Sequence, residues 1–233
     1  MTARALPDIC INFEILPMTI HAKPAPRAQE PSIRLFRNDF LEALTHVHPI
    51  VPLLFWSPVV AWLLWRSITV HQLPADGMVL IAVLGLVVWS LAEYCLHRFV
   101  FHYPAKGPVG KYLVFMFHGV HHDAPRDKTR LVMPPAGAVI VMFLLWQMFR
   151  LVVPAPWIEP FCAFFIVGYL VYDYIHYGTH HFSMKHPALH FLKVYHLRHH
   201  YGADGKRYGV SSPLWDRVFG TYPEEEIPGR RAR

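Results

Sequence analysis

Residues 77–102 read GMVLIAVLGLVVWSLAEYCLHRFVFH. Positions 77–96 carry one charged side chain, Glu93, and are long enough to cross a hydrocarbon core of about 30 Å as a single helix. His97 and His102 then follow without a break. Histidine is the commonest protein metal ligand, and ionisable residues beside a membrane span mark function. The stretch therefore predicts an integral membrane protein whose chemistry sits at one end of its helices.

Three further apolar runs, at about 50–67, 134–153 and 159–175, make an all-α, integral membrane four-helix bundle the expected fold. The 77–96 and 134–153 runs meet the length requirement outright; the other two must borrow flanking residues. Pro52 and Pro58 imply a bent or late-starting first helix, while Pro134 and Pro135 fall in a first turn, where proline is tolerated. Hydrophobic residues make up 54% of the 233-residue chain, more than a soluble domain usually carries. All but two of its 22 lysines and arginines lie before residue 50, between the 77–96 and 134–153 runs, or after the last run. The exceptions are Arg66 and Arg150, so both termini and the middle loop are expected in the cytoplasm, with the helices in two hairpins. This asymmetry explains the net charge of +6 better than nucleic-acid binding does.

Residues 1–31 are rich in proline and expected to be disordered or weakly ordered, with translation starting at Met1 or Met18. The ICINFEIL stretch at 9–16 is too short, and too acidic at Glu14, for a signal peptide. From Ser32, the IRLFRNDFLEALTHV pattern fits an amphipathic helix on the membrane surface, with His46 and His48 as interfacial or capping residues. Cys10, Cys95 and Cys162 form no CxxC pair; the last two read as small buried hydrophobes.

The histidines recur in a pattern. Residues 195–201 read YHLRHHY and 117–122 read FHGVHH, so His196, His199, His200 and His118, His121, His122 share the spacing i, i+3, i+4. On a helix each triplet occupies one face. His176 and His180 form an i, i+4 pair, and His97 and His102 a slightly wider one. Imidazoles crowded on one stripe need a polar partner, and a metal ion supplies it. One ion takes about four to six ligands, so ten histidines point to two ions. A ligand set without thiolate suits iron or zinc rather than calcium or magnesium. All four clusters fall on the cytoplasmic side of the expected topology.

These motifs resemble the membrane fatty acid hydroxylase superfamily, most of all its fatty acid 2-hydroxylases, across residues 93–222. The matching elements are EYCLHRFVFH at 93–102, HGVHH at 118–122, YDYIHYGTH at 172–180 and the tail YGVSSPLWDRVFGTYP at 208–223. The resemblance implies a transmembrane four-helix bundle capped by a cytosolic helical domain with a dimetal histidine centre, so that residues 32–233 form the hydroxylase domain. It makes His97, His102, His118, His121, His122, His176, His180, His196, His199 and His200 the ligands. It further implies hydroxylation of the α-carbon of a lipid acyl chain, such as that of a ceramide, with dioxygen as co-substrate. An acyl path lined by the second and fourth spans is expected. The cytochrome b5 domain fused to some members is missing, so electrons are expected from an external cytochrome b5-like or ferredoxin-type donor.

Glu93, one turn before His97, and Asp173, three residues before His176, are second-sphere candidates that would accept a ligand's ring proton. Arg98 is expected near a lipid headgroup or the Asp216 region, and Trp215 and Tyr222 as packing or substrate residues. His181, His186 and His190 fall outside the resembled pattern, and His21 and His71 read as surface residues. Three other readings compete: a sterol- or carotenoid-type oxidation on the same ligands, a metal transporter, which needs ligands near mid-bilayer, and a catalytically silent metal-binding membrane protein.

Overall fold

The computed structural model describes residues 32–202 and 205–223. Expectations for residues 1–31, among them the start site, Cys10 and His21, lie outside the described residues, as does the tail from 224. The described residues contain helices and no strand: α1 (Asp39–Thr45), α2 (Val51–Thr69), α3 (Ala75–Cys95), α4 (Pro108–Val114), α5 (Val120–Asp123), α6 (Pro135–Phe149), α7 (Ile158–His181), α8 (Pro187–Tyr201) and α9 (Leu214–Val218). Two π-helical segments interrupt this order. Leu96–Phe101 prolongs α3, and Phe115–Gly119 joins α4 to α5.

Three helices are long and apolar enough to cross a membrane: Val51–Thr69, Ala75–Phe101 and Ile158–His181. The fourth apolar helix, α6, is shorter, which reverses the order expected from hydropathy. Its 15 residues span only about 22 Å at the α-helical rise, because the apolar residues after Phe149 form turns leading to Pro154. The 159–175 run gains instead, since the helix continues through the histidine pair to give 24 residues. The first helix is not late-starting. Pro52 takes its first turn and the helix runs on through Pro58. Ser67 and Thr69 donate back to the carbonyls of Leu63 and Trp65, so neither hydroxyl faces the apolar surroundings unpaired.

Helix α7 is the centre of the bundle and packs against α3, α2 and α8. On α3, Ile81, Gly85 and Trp89 turn inward at four-residue steps, while Val79, Leu80, Val83, Leu84, Leu86 and Val87 stay exposed as a lipid-facing surface. Small residues bring the two helices together. A Cβ at Gly85 would lie 2.8 Å from the Phe161 carbonyl oxygen on α7, and one at Gly168 would lie 2.7 Å from Trp89. The Trp89 ring stands 5.1 Å from Phe165, 5.5 Å from Tyr169 and 5.7 Å from Tyr172. These rings fill the seam between α3 and α7 at that level.

The expected amphipathic helix is shorter than its pattern. It starts after Asn38, whose side chain accepts from the amides of Phe40 and Leu41. Glu42 turns inward, accepts from the amides of Leu35 and Phe36, and pairs with the buried Arg130 guanidinium. Phe40, Leu41 and Leu44 face outward. His46 bonds to Thr129 at 2.7 Å and Arg130 at 2.8 Å, and His48 accepts from the Ile50 amide at the start of α2. His71 is more than a surface residue: it lies 3.2 Å from Glu159, which is also held by Arg66 through two bonds of 2.9 Å.

Candidate metal centre

The π-helical segment after α3 explains the wide His97–His102 spacing. A π-helix bonds i to i+5, and the His102 amide donates to the His97 carbonyl at 3.1 Å. Residues five apart therefore return to one face, as residues four apart do on an α-helix. His118 also sits in a π-helical segment, and His121 and His122 on the α5 turn that follows it. His176 and His180 lie in the last turns of α7, and α8 carries His196, His199 and His200.

All ten histidines come together in two groups of five. One is His97, His102, His118, His122 and His199; the other is His121, His176, His180, His196 and His200. Within each group the ring nitrogens nearest one another all lie within 4.8 Å. The pairs stay whole, whereas each triplet is shared. His121 leaves its neighbours to join the α7–α8 histidines, and His199 leaves its own to join those of the first half. The groups adjoin, with the His122 and His200 rings stacked 4.0 Å apart.

Burial, reinforced by neighbouring imidazoles, holds His118, His121 and His196 well below the usual histidine pKa. The same causes lower His102 to about 4 and His122 to about 2, and they lower His200 as well. These six rings are thus neutral at pH 7 and each keeps one nitrogen lone pair. For two further rings, backbone carbonyls fix the tautomer. His97 Nδ1 donates to the Tyr208 carbonyl at 2.5 Å, and His199 Nδ1 donates to the Lys206 carbonyl at 2.8 Å. Their Nε2 lone pairs then face His118 Nε2 and His102 Nε2, each at 3.0 Å. Such crowded acceptors fit a cation at their common centre, and nitrogen ligation of this kind suits iron or zinc.

Three other histidines singled out in the sequence stay outside both groups. His181 lies tilted against Tyr177 with ring centroids 4.4 Å apart, His186 occupies the cap position before α8, and His190 lies in the first turns of that helix. The two carboxylates do not act as expected. Glu93 receives the amides of Val210 and Ser211 at 2.7 and 2.8 Å and the Ser211 hydroxyl, and, among the described residues, no histidine proton. The Tyr208 carbonyl stands in the place that Glu93 was expected to fill beside His97. Among the described residues the hydrogen-bond donor to Asp173 is the Tyr169 hydroxyl at 3.4 Å, not His176. Arg98 stacks over Tyr94, Phe99 and Tyr208 and donates to the Tyr94 hydroxyl, which meets Thr221 and through it Asp216. Trp215 donates to Ser90 at 3.0 Å, and Tyr222 packs on Tyr195 beneath Arg217. The carbonyls of Lys206 and Tyr208 were missed because a backbone group leaves no mark in residue identity.

The family model for fatty acid hydroxylases matches residues 82–221. A dihydroceramide fatty acyl 2-hydroxylase of Arabidopsis thaliana is 40% identical over 208 residues, covering 87% of this chain and 85% of that protein. The human fatty acid 2-hydroxylase is 34% identical over 218 residues, 83% of this chain and 58% of its own length. The solved structure of full-length Scs7p, in which only the hydroxylase domain is visible, superposes with a TM-score of 0.75 at 35% identity, covering 83% of this chain and 73% of that one. The chain belongs to the fatty acid hydroxylase family.

Proposed function

We propose that this protein is a membrane-embedded hydroxylase with two metal ions, which places a hydroxyl on the α-carbon (C2) of a fatty acyl chain in a ceramide or related membrane lipid. The observation that carries this reading is the convergence of ten histidines from four separated stretches into two groups of five at the ends of α3 and α7. Residues 32–233 form the hydroxylase domain in this reading. His97, His102, His118, His122 and His199 hold one ion, and His121, His176, His180, His196 and His200 the other. Iron serves in the active form, and zinc occupies the same imidazole sites on isolation.

When bound, the ions supply the reduction of dioxygen and the oxidising power that breaks the carbon–hydrogen bond. The balance is RH + O2 + 2e⁻ + 2H⁺ → ROH + H2O: one oxygen atom enters the product and the other leaves as water. The two electrons come from an external cytochrome b5-like or ferredoxin-type donor. The chain contributes neutral rings, tautomers set by the Tyr208 and Lys206 carbonyls, and burial that keeps bulk water away.

Both termini and the histidine groups face the cytoplasm in this reading, supported by the basic residues gathered on one side. A lipid whose headgroup stays at that surface brings its first acyl carbons, not its methyl end, to the depth where the spans end. The names of the similar proteins favour acyl 2-hydroxylation over sterol or carotenoid oxidation. A transport path is disfavoured because α2 and α6 contain no histidine. Expression in a host lacking 2-hydroxy fatty acids, with a suitable reductant and labelled dioxygen, tests the proposal. It expects 2-hydroxyacyl lipids carrying one labelled oxygen; label in mid-chain carbons, in a ring, or nowhere in a fully metal-loaded protein overturns it.

A further inference from the structure

Four consecutive backbone amides, those of residues 208–211, are held by two buried carboxylates from different parts of the chain. Asp216 accepts from Tyr208 N at 2.8 Å and Gly209 N at 2.7 Å. Glu93, on α3, accepts from Val210 N at 2.7 Å and Ser211 N at 2.8 Å, and from the Ser211 hydroxyl. Thr221 donates its amide to the Asp216 carbonyl at 2.8 Å and its hydroxyl to Asp216 Oδ1 at 2.7 Å, closing the loop from its far end. Gly209 has no room for a side chain, since a Cβ would lie 2.1 Å from the Ser212 carbonyl oxygen. The segment 206–211 is thus a clamped strap. Its carbonyls at Lys206 and Tyr208 are the ones that take the ring protons of His199 and His97. Arg207 between them has φ 66°, a left-handed turn that a non-glycine residue adopts only when its surroundings hold it there.

Both histidines so fixed belong to one group. In the other, His196 Nδ1 and His200 Nδ1 are buried without a hydrogen-bond partner among the described residues. A histidine whose second nitrogen donates to a fixed acceptor is a more basic and better-aimed ligand, and loss of such a partner typically costs 10–100-fold in metal affinity.

We infer that Glu93 and Asp216 are positioning residues: through the strap 206–211 they set the tautomers of His97 and His199 and make their group the tighter of two unequal metal sites. The inference rests on the reading of the ten histidines as ligands of two ions. The experiment is chelator extraction from the purified two-zinc protein, followed by metal release over time. The wild-type protein is expected to lose its ions in two phases, with the group containing His196 and His200 emptying first. Glu93→Gln and Asp216→Asn should speed the slow phase about 10–100-fold and leave the fast phase unchanged. Ser211→Ala, which deletes one bond and keeps both carboxylates, should move the slow phase in the same direction by less, and it serves if the others fail to fold. On a His180→Ala background, which weakens the second group, Glu93→Gln should still accelerate release of the remaining ion. On a His102→Ala background it should not.

A single phase in the wild type, equal acceleration of both phases, or no acceleration in any strap variant overturns the inference. A purified protein that holds no metal overturns the ligand reading itself, which separates the two failures. Nitrogen-15 spectra of labelled histidine add a direct check: two strongly hydrogen-bonded Nδ1–H signals are expected in the wild type, and both should shift in Asp216→Asn.

Discussion

Replacing Gly85 by alanine tests whether the α3–α7 seam sets the geometry of the metal centre. The added Cβ would lie 2.8 Å from the Phe161 carbonyl oxygen, 3.0 Å from Phe164 Cβ and 3.1 Å from Phe165 N, so α7 backbone blocks it. Ordinary contact begins at 3.4 Å, and the helices must part by about 0.6 Å to restore it. Overpacking of this kind costs about 1–3 kcal/mol, while the change from glycine to alanine in a helix returns up to about 1 kcal/mol. Gly137→Ala, on α6, supplies the control: its Cβ would meet only Met133 Cγ at 3.9 Å. Comparing the two variants cancels the propensity term and leaves a gap of about 1–3 kcal/mol from the clash alone. The effect should reach the site, because α3 leads into His97 while α7 carries His176 and His180. A separation of about 0.6 Å exceeds the tolerance of about 0.2 Å expected of metal–ligand distances. Thermal melts of the detergent-solubilised protein, with metal content measured on the same samples, give both readouts. Gly85→Ala should melt below Gly137→Ala and hold less metal. Equal or higher melting with full metal content would refute the reasoning.

Tags at residue 1 and residue 233 should both be cytoplasmic and one beside Gln72 external; protease access to either terminal tag from outside contradicts the proposed orientation. Purified protein should carry about two ions, and His118→Ala or His199→Ala should lower that content and abolish hydroxylation, whereas His190→Ala, outside both groups, should spare both. Equal loss from all three variants would mean the ligands are misassigned. Acidification of the metal-free protein should destabilise it in a defined window. His102 and His122 are held at about 4 and about 2 in the folded state, against about 6.5 when unfolded. The unfolded chain therefore binds protons that the folded chain refuses, and stability falls as pH drops from about 6.5 towards 4 for His102 and further for His122. Above pH 7 these rings contribute no slope, so a denaturation midpoint that is flat from pH 7 to 5, or rises on acidification, is the contrary result.

The helical fold and the histidine-rich stretches were legible because both depend on local spacing. Apolar runs of helical length and imidazoles three and four apart leave their signature in consecutive residues. The i, i+5 spacing of His97 and His102 was itself legible as an anomaly, and the π-helical segment is its physical cause. Hydropathy failed at α6, where it counted the apolar residues 151–153, which lie in the turn and bend after the helix. It undervalued α7, whose last turns are polar because they carry His176, His180 and His181.

What no local pattern could disclose is the division of the triplets. On its own helix each triplet reads as one site, yet His121 and His199 each cross to the opposite group. That exchange depends on how the α4–α5 segment and α8 meet over the ends of α3 and α7, which is a tertiary fact. It has a chemical consequence. Each group of five contains one histidine from the other half of the chain, so neither half completes a site alone, and anything that shifts one half against the other disturbs both. The close approach of α3 and α7 at Gly85 and Gly168 and the strap held by Glu93 and Asp216 act on that same relation from opposite sides. One fixes the distance between the helices that deliver the histidines; the other fixes the direction of the rings once they arrive.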